Sequence, residues 1–363
     1  MYRRERLDRG IKARVDDIFA LSSHREIIYL AGPRIFAVLA LLIFPLLTNI
    51  TGTYWQSVFF MTCVIALLAL SWDLLYSVGL VSLGQAFFFG VGGYFTGVLN
   101  YYYDVPIAVS IPVATLGGAI ICTFVIFPVL RLRGIYFALI TFALPLFLMR
   151  IVEATRIFGG TEGLSGLTPI PSMQTKAYLG IVVTLIVIFV LLKLLDTDYG
   201  LVIQGIRDND LSVLASGINI QWFKAQVVFI ASLPATFAGA LMTHHYQVVG
   251  MPAFAMENSI LPLTSAIVGG PGLISGSVVG AFLLVPISES LRVFGTLRMV
   301  IYATALLIFV VFLSEGVFRY AQRKYFQFER VVSTGGEEIE YERSYIVRGK
   351  EFIKKFWGRK SSC

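Results

Sequence analysis

The chain has 363 residues, 57% of them hydrophobic and 14% charged, with a mean hydropathy of +0.79 and a formal net charge of +7. A soluble fold cannot hide that much apolar surface, so the central part of the chain faces lipid. The basic excess is no nucleic-acid signal, because eight of the 29 Lys and Arg fall in residues 1–34 and eleven follow Glu315, flanking the apolar region as cytoplasmic segments do.

An uncharged run of about 20 residues is enough to cross the hydrocarbon layer as a helix. Val105–Leu130 is uncharged over 26 residues, Ala225–Met242 over 18 and Asn258–Ser288 over 31. These runs are continuous, unlike barrel strands, which alternate apolar and polar over about ten residues. The fold class is therefore all-α: a polytopic integral membrane protein of about ten transmembrane helices. A cytoplasmic arm (1–34), a transmembrane domain (35–314) and a basic cytoplasmic tail (315–363) divide the chain, and its expected place is the cell membrane, with lipid as its surroundings. The N-terminal region lacks the pattern of a cleaved signal. Cys63 and Cys122 lie in apolar spans, Cys363 is the last residue, and no metal-ligand or disulfide spacing joins them.

In chain order, spans are expected at about Ile35–Asn49, Trp55–Leu75, Ser77–Leu99, Val105–Leu130 and Ile135–Val152. A polar stretch (153–176) leads to Ala177–Leu195, and a second (196–221) leads to Trp222–His244. The run from Asn258 is too long for one crossing and is divided at Gly269-Gly270-Pro271-Gly272, which interrupts a helix. Its pieces are about Glu257–Val268, short enough for a re-entrant or tilted half-helix, and Gly272–Leu291; a last span covers about Met299–Ser314. With both termini cytoplasmic the number of crossings must be even, and ten satisfies that with 131–133 and 196–221 inside and 153–176 outside. Spans two to five and seven to ten each hold one glycine-rich element, which suggests an inverted repeat with broken helices.

No catalytic constellation is present. There is no G-x-x-x-x-G-K-[ST] loop, so the usual device for ATP hydrolysis is missing. His244 and His245 are adjacent and do not share a helix face, which argues against a two-His metal site and for interfacial histidines. No catalytic residue, metal or cofactor is expected on this chain. Asp73 closes span two and is expected at the interface. Ionisable residues within the spans are sparse, which favours energy supplied from outside over a proton- or sodium-driven secondary transporter or channel. The segment 196–221 carries Gly-x-Arg-Asp-Asn-Asp (Arg207, Asp208, Asn209, Asp210), expected to open a short helix that Gly217 ends.

The stretch VSLGQAFFFGVGGYFTG (81–97) is almost wholly apolar, yet it contains five glycines together with Ser82 and Gln85. Gly93 and Gly97 form a G-x-x-x-G pair, and Gly272, Gly276 and Gly280 repeat that interval. Small residues so spaced let helix backbones approach closely. Ser82 and Gln85, costly if unpaired in lipid, should face protein or an aqueous path. A packed, partly broken helix beside a translocation path is expected here, with its counterpart at 268–280 around Gly269 and Gly270.

Four blocks, in order, give the chain a resemblance to the M-type permease subunits of branched-chain amino acid ABC importers: GLVSLGQAFFFGVGGYF (79–95), RLRGIYFALITFAL (131–144), IRDNDLSVLASGIN (206–219) and AIVGGPGLISGSVVGAFLL (266–284). GGTEGLSGL (159–167) adds a fifth. The resemblance implies an assembly containing a second, H-type permease, two cytoplasmic ATPase subunits and an external solute-binding protein. It makes Arg207, Asp208, Asn209, Asp210 and Gly217 candidates for coupling to the ATPases. The implied solute is a branched-chain or related amino acid; permeases for urea and short amides share the same blocks.

Overall fold

A computed structural model describes residues 35–132 and 134–295 apart from 37, together with 297, 304 and 316–321. The arm 1–34, Arg133, all but residue 304 of the expected span Met299–Ser314, and the tail beyond residue 321 lie outside the described residues. The chain divides into two compact units, 1–56 and 57–363.

In the first unit, residues 38–43 are helical and run into a 3-10 turn, Phe44–Leu47. Helix α1 (Thr48–Ser77) follows, kinked where Gly52 has φ +74°. The expected span Ile35–Asn49 is therefore not one uninterrupted helix, and the first stretch long and apolar enough to cross begins at Gly52. Pro45 is one physical reason: it has no amide proton to offer a helix, and its carbonyl accepts a 3.1 Å hydrogen bond from Gln56 Nε2 instead.

The remaining helices are α2 (Gln85–Tyr103), α3 (Ile107–Ile126), α4 (Ile135–Thr155), α5 (Met173–Leu195), α6 (Asp198–Ala215), α7 (Ile220–Tyr246), α8 (Glu257–Gly269) and α9 (Ile274–Ser290). One small antiparallel pair, β1 (Leu164–Ser165) with β2 (Val248–Val249), places Leu164 opposite Val249. The chain is an all-α polytopic membrane protein. Six described segments are long and apolar enough to cross: Gly52–Ser77, Ile107–Arg131, Ile135–Thr155, Met173–Leu195, Ile220–Tyr246 and Ile274–Phe294.

Three helices depart from that standard: α6, which is polar, and, for opposite reasons, α2 and α8. Helix α2 has the length, but its glycines, Thr96, Asn100 and terminal tyrosines dilute its hydropathy. Protein surrounds most of it, since Gln85–Gly90, Gly92–Tyr94, Thr96, Gly97 and Asn100 are buried. Helix α8 has only 13 residues, about 20 Å at 1.5 Å per residue, against a hydrocarbon core of about 30 Å. It is a half-helix, reached through an irregular segment containing the 3-10 turn Met251–Phe254.

The core gathers on α1, where Phe60, Leu67, Leu68, Leu70 and Leu74 are fully buried, and extends to Phe87 and Phe88 of α2 and Val227, Val228 and Ala231 of α7. Helices α3, α4 and α5 turn large apolar side chains outward, including Phe124 at 81%, Phe147 at 61% and Phe189 at 71% exposure. In water these would be a liability; against acyl chains they need no cover.

Side-chain caps set several boundaries by satisfying the free amides of a first turn. Ser172 Oγ accepts from Thr175 N at 3.1 Å at the start of α5, and Asn219 Oδ1 accepts from Trp222 N at 3.3 Å at the start of α7.

Candidate functional site

The segment 78–84 is not helical, and α2 begins only at Gln85. The expected break thus precedes the helix, and 85–103 is continuous through all its glycines. Three elements satisfy the polar groups at this start. Trp72 Nε1 of α1 donates to the Ser82 carbonyl at 2.8 Å, and Ser71 Oγ donates to Gln85 Oε1 at 3.2 Å. Leu83 N donates to Thr141 Oγ1 of α4 at 3.1 Å, and Ala86 N donates to Ser259 Oγ of α8 at 2.9 Å. Gly84 N turns back to Ser82 Oγ at 3.2 Å. Ser82 and Gln85 are 1% and 0% exposed, so the expectation that they face protein or a path resolves to protein in this conformation. Gln85 Nε2 keeps no hydrogen-bond partner among the described residues.

The glycines of each stretch let their helix close on a neighbour. A Cβ on Gly92 would collide with the Thr236 carbonyl of α7, and one on Gly93 would come within 2.9 Å of Thr243 Oγ1. Gly97 faces Val249 of β2, 2.6 Å from where its Cβ would lie. In the second stretch, Cβ atoms on Gly269 and Gly280 would overlap the carbonyls of Gly276 and Ser265, and one on Gly276 would sit 2.8 Å from the Gly269 carbonyl. Helices α8 and α9 therefore form a tight hairpin through the turn 270–273. Gly270 ends α8, its amide donating to the Ala266 carbonyl at 3.0 Å, and Gly272 takes φ +81°.

Helix α6 begins at Asp198, earlier than expected, so the motif 206–210 lies inside it. Asn209 leaves helical geometry (φ −158°, ψ 96°), and its Oδ1 accepts from Leu211 N at 3.1 Å and Ser212 N at 3.3 Å. Asn209 is thus the N-cap of a second short helical piece, which is what the motif opens. Gly217, at φ +80°, closes that piece, donating its amide to the Leu214 carbonyl at 2.9 Å. The inner face of α6 buries Gly200, Ile203 and Ile206, while Leu211 and Leu214 are 63% and 55% exposed. Near its start, the Tyr199 hydroxyl is buried without a hydrogen-bond partner among the described residues, and burial pushes its pKa up to about 12.

Arg207 is where α6 reaches the glycine-rich turns. Its Cα is 3.3 Å from a Cβ placed on Gly79, and its Nη1 is 3.4 Å from one placed on Gly272. Its Nε also pairs with Asp208 Oδ1 at 3.3 Å, with side chains 36% and 72% exposed, a solvent-screened contact of little energetic weight. Beneath it lies Asp73, which is not interfacial as expected but 0% exposed. Asp73 Oδ1 accepts from Gly272 N at 2.7 Å.

Sequence reasoning also set His244 at the membrane surface, whereas it is fully buried. Its Nδ1 lies 2.9 Å from the Thr168 carbonyl and its Nε2 lies 3.1 Å from Thr96 Oγ1 and 3.3 Å from Ser110 Oγ. A carbonyl can only accept, so Nδ1 carries the proton and Nε2 accepts from a hydroxyl. The ring joins α2, α3 and α7 to the 156–172 segment. Asn100 reinforces that seam, donating from Nδ2 to Thr168 Oγ1 and accepting from Thr168 N, both at 2.9 Å. The available signal was a set of lone polar residues (Thr96, Asn100, Ser110, His244) near the ends of apolar runs.

Comparison with known proteins places the chain. Residues 54–314 match the family model described as branched-chain amino acid transport system / permease component. Among curated proteins, the high-affinity branched-chain amino acid transport system permease protein LivM of Escherichia coli is 26% identical over 271 residues, covering 66% of this chain and 64% of that protein. Its Salmonella typhimurium counterpart is 25% identical with the same coverage. A probable branched-chain amino acid transport permease protein LivM of Methanocaldococcus jannaschii is 25% identical over 231 residues, 57% of this chain and 66% of that one. The chain thus spans somewhat under two thirds of the length of the two bacterial relatives. No solved structure gives a significant match. The family match runs from within α1 through α9 and covers all four motif blocks, and the chain belongs to the branched-chain amino acid transport system permease family.

Proposed function

We propose that this chain is the membrane-spanning permease subunit of an ATP-driven importer, forming part of the translocation path for branched-chain or related amino acids. It works in the cell membrane with a second, H-type permease, two cytoplasmic ATPase subunits and an external solute-binding protein. The observation that carries this reading is α6 within the family frame. It is a capped, kinked helix between two spans, buried on one face and presenting Leu211 and Leu214 outward. Such a helix can accept force from a partner, and the sequence contains no phosphate loop that would let the chain hydrolyse ATP itself.

Orientation follows from charge. Eight Lys and Arg in residues 1–34 and eleven after Glu315 favour cytoplasmic termini, and with an even number of crossings the segment 196–221 that holds α6 is read as cytoplasmic too.

The test is reconstitution in liposomes with an H-type permease, ATPase subunits and a solute-binding protein from the same source as this chain. Uptake of a branched-chain amino acid should require both ATP and the binding protein. Uptake by the chain alone, without ATP, would replace this reading with that of a secondary transporter or channel. A panel including urea and short amides separates the two solute classes, since the binding protein sets most of the selectivity.

A further inference from the structure

Asp73 carries a carboxylate into the interior of α1 with no solvent exposure, a placement that is costly unless the charge is compensated. Three groups surround it. The Gly272 amide donates to Oδ1 at 2.7 Å. The Ser277 hydroxyl of α9 lies beside it, and the Arg207 guanidinium of α6 is near enough for its charge to act on it. Oδ2 itself has no hydrogen-bond partner among the described residues. The first two groups belong to the α8–α9 hairpin, and the third belongs to the helix with an exposed outer face.

The packing around Arg207 makes that connection mechanical as well as electrostatic. Its backbone rests on Gly79, in the turn that ends α1. Gly272 occupies a slot between the guanidinium and the Tyr76 ring, whose Cε1 lies 3.7 Å from where a Cβ would project. Tyr76 in turn stacks on Trp72, with ring centroids 5.3 Å apart, and Trp72 holds the Ser82 carbonyl at the start of α2. Arg207 therefore touches the turns that lead into both glycine-rich helices.

We propose that Asp73 and Arg207 form a latch that passes displacement of α6 to the α8–α9 turn, with Asp73 as the positioning residue that holds Gly272. This rests on the reading of the chain as an ATP-coupled permease. When α6 moves with a partner, the guanidinium withdraws from a carboxylate that has no access to water. The attraction between charges in such surroundings corresponds to an effective dielectric constant of about 20, against about 80 in water. Its loss must be answered by solvent entry or by movement of the groups bound to Asp73. The group most directly bound is the 270–273 turn, so the α8–α9 hairpin is released or held according to the position of α6. The exposed Arg207–Asp208 pair offers the guanidinium a second anion during that excursion.

The test uses the full-length chain and three variants, Arg207→Gln, Asp73→Asn and the double, with amide hydrogen exchange read over 268–280. Among the described residues Arg207 makes no hydrogen bond to the turn, whose Gly272 amide is held by Asp73, so a merely structural surface arginine would leave exchange there unaltered. The latch requires Arg207→Gln to speed exchange at 270–273 by about tenfold, Asp73→Asn to do likewise, and the double to match a single variant, as members of one network are non-additive. In the reconstituted transporter the same pattern should appear as lost ATP-driven uptake. Unchanged exchange at 270–273 in Arg207→Gln, or effects that multiply in the double variant, would overturn the latch. Arg207 is partly exposed, so its variant decides the matter even where Asp73→Asn does not fold. Wild-type chain that shows no ATP-dependent uptake refutes the functional reading instead, and the exchange data still judge the latch.

Discussion

The imidazole of His244 and the carbonyl of Thr168 face each other at 2.9 Å, although 76 residues separate them in the chain. That contact ties the loop preceding α5 to the far end of α7 and fixes the proton on Nδ1. Replacing His244 with Leu would fill the volume while taking from the Thr168 carbonyl the ring N–H that it accepts, although Thr96 and Ser110 keep their own 3.2 Å hydrogen bond. The expected loss is about 1–3 kcal/mol for such a buried group, read as a lowered midpoint of thermal unfolding in detergent. A midpoint equal to the parent protein's would show that the ring bears no structural weight.

Gly92 permits a close approach of α2 to α7, and a Cβ there would collide with backbone atoms of Thr236. Backbone cannot swing aside as a side-chain tip can, so Gly92→Ala should cost about 1–3 kcal/mol, the range for overpacking. Gly166→Ala is the instructive comparison: nothing lies near its added methyl, and only its φ of +78° opposes the change. Size-exclusion profiles and melting midpoints of the two variants should rank Gly92→Ala as the more damaging.

Asn209→Ala removes the acceptor for Leu211 N and Ser212 N. Loss of an N-cap costs about 1 kcal/mol, concentrated here on the short piece 210–215. Faster amide exchange confined to that piece is expected, and Asn209→Asp, which preserves the acceptor, should restore protection. If the piece mediates coupling, Asn209→Ala also lowers ATP-driven uptake while Asn209→Asp does not.

Tyr199 supplies a pH dependence. Its folded pKa is raised to about 12 from the ordinary 10.0 because burial disfavours the phenolate. The folded state then binds the proton more tightly than the unfolded state, so the associated stability is complete below pH 10 and is lost as the pH rises from about 10 to about 12. Tyr199→Phe removes the titration along with a hydroxyl that has no hydrogen-bond partner among the described residues. The variant should be at least as stable as the parent at neutral pH and lose less stability across that alkaline window. A parallel decline in both proteins would sever the dependence from Tyr199.

Spans α3 to α5 and α7 were legible because hydrophobic runs of the required length have few other uses. The helices α2 and α8 were less so. In α2, glycine and polar residues lower the hydropathy of a segment that protein, not lipid, surrounds. In α8, the length is set by where the chain re-enters the bundle. The glycine spacing announced close helix contacts without naming the partners, because an interval of four residues identifies a face and says nothing of what lies opposite. Asn209 appeared within a motif, yet its capping role depends on a backbone break that propensity does not register.

Composition and charge placement, taken alone, determined that the chain is a helical membrane protein, since a lipid-facing backbone has few ways to satisfy its own hydrogen bonds. The motif blocks determined its family resemblance. Only the tertiary structure decided that α2 closes on α7 and α9 on α8, that His244 is interior, and that Asp73 lies beneath Arg207 against Gly272. Apart from the α8–α9 hairpin, each of these depends on contacts between segments far apart in sequence. A residue's hydropathy fixes its preference for lipid or water, but which distant backbone amide comes to satisfy a buried carboxylate is settled only when the helices have packed.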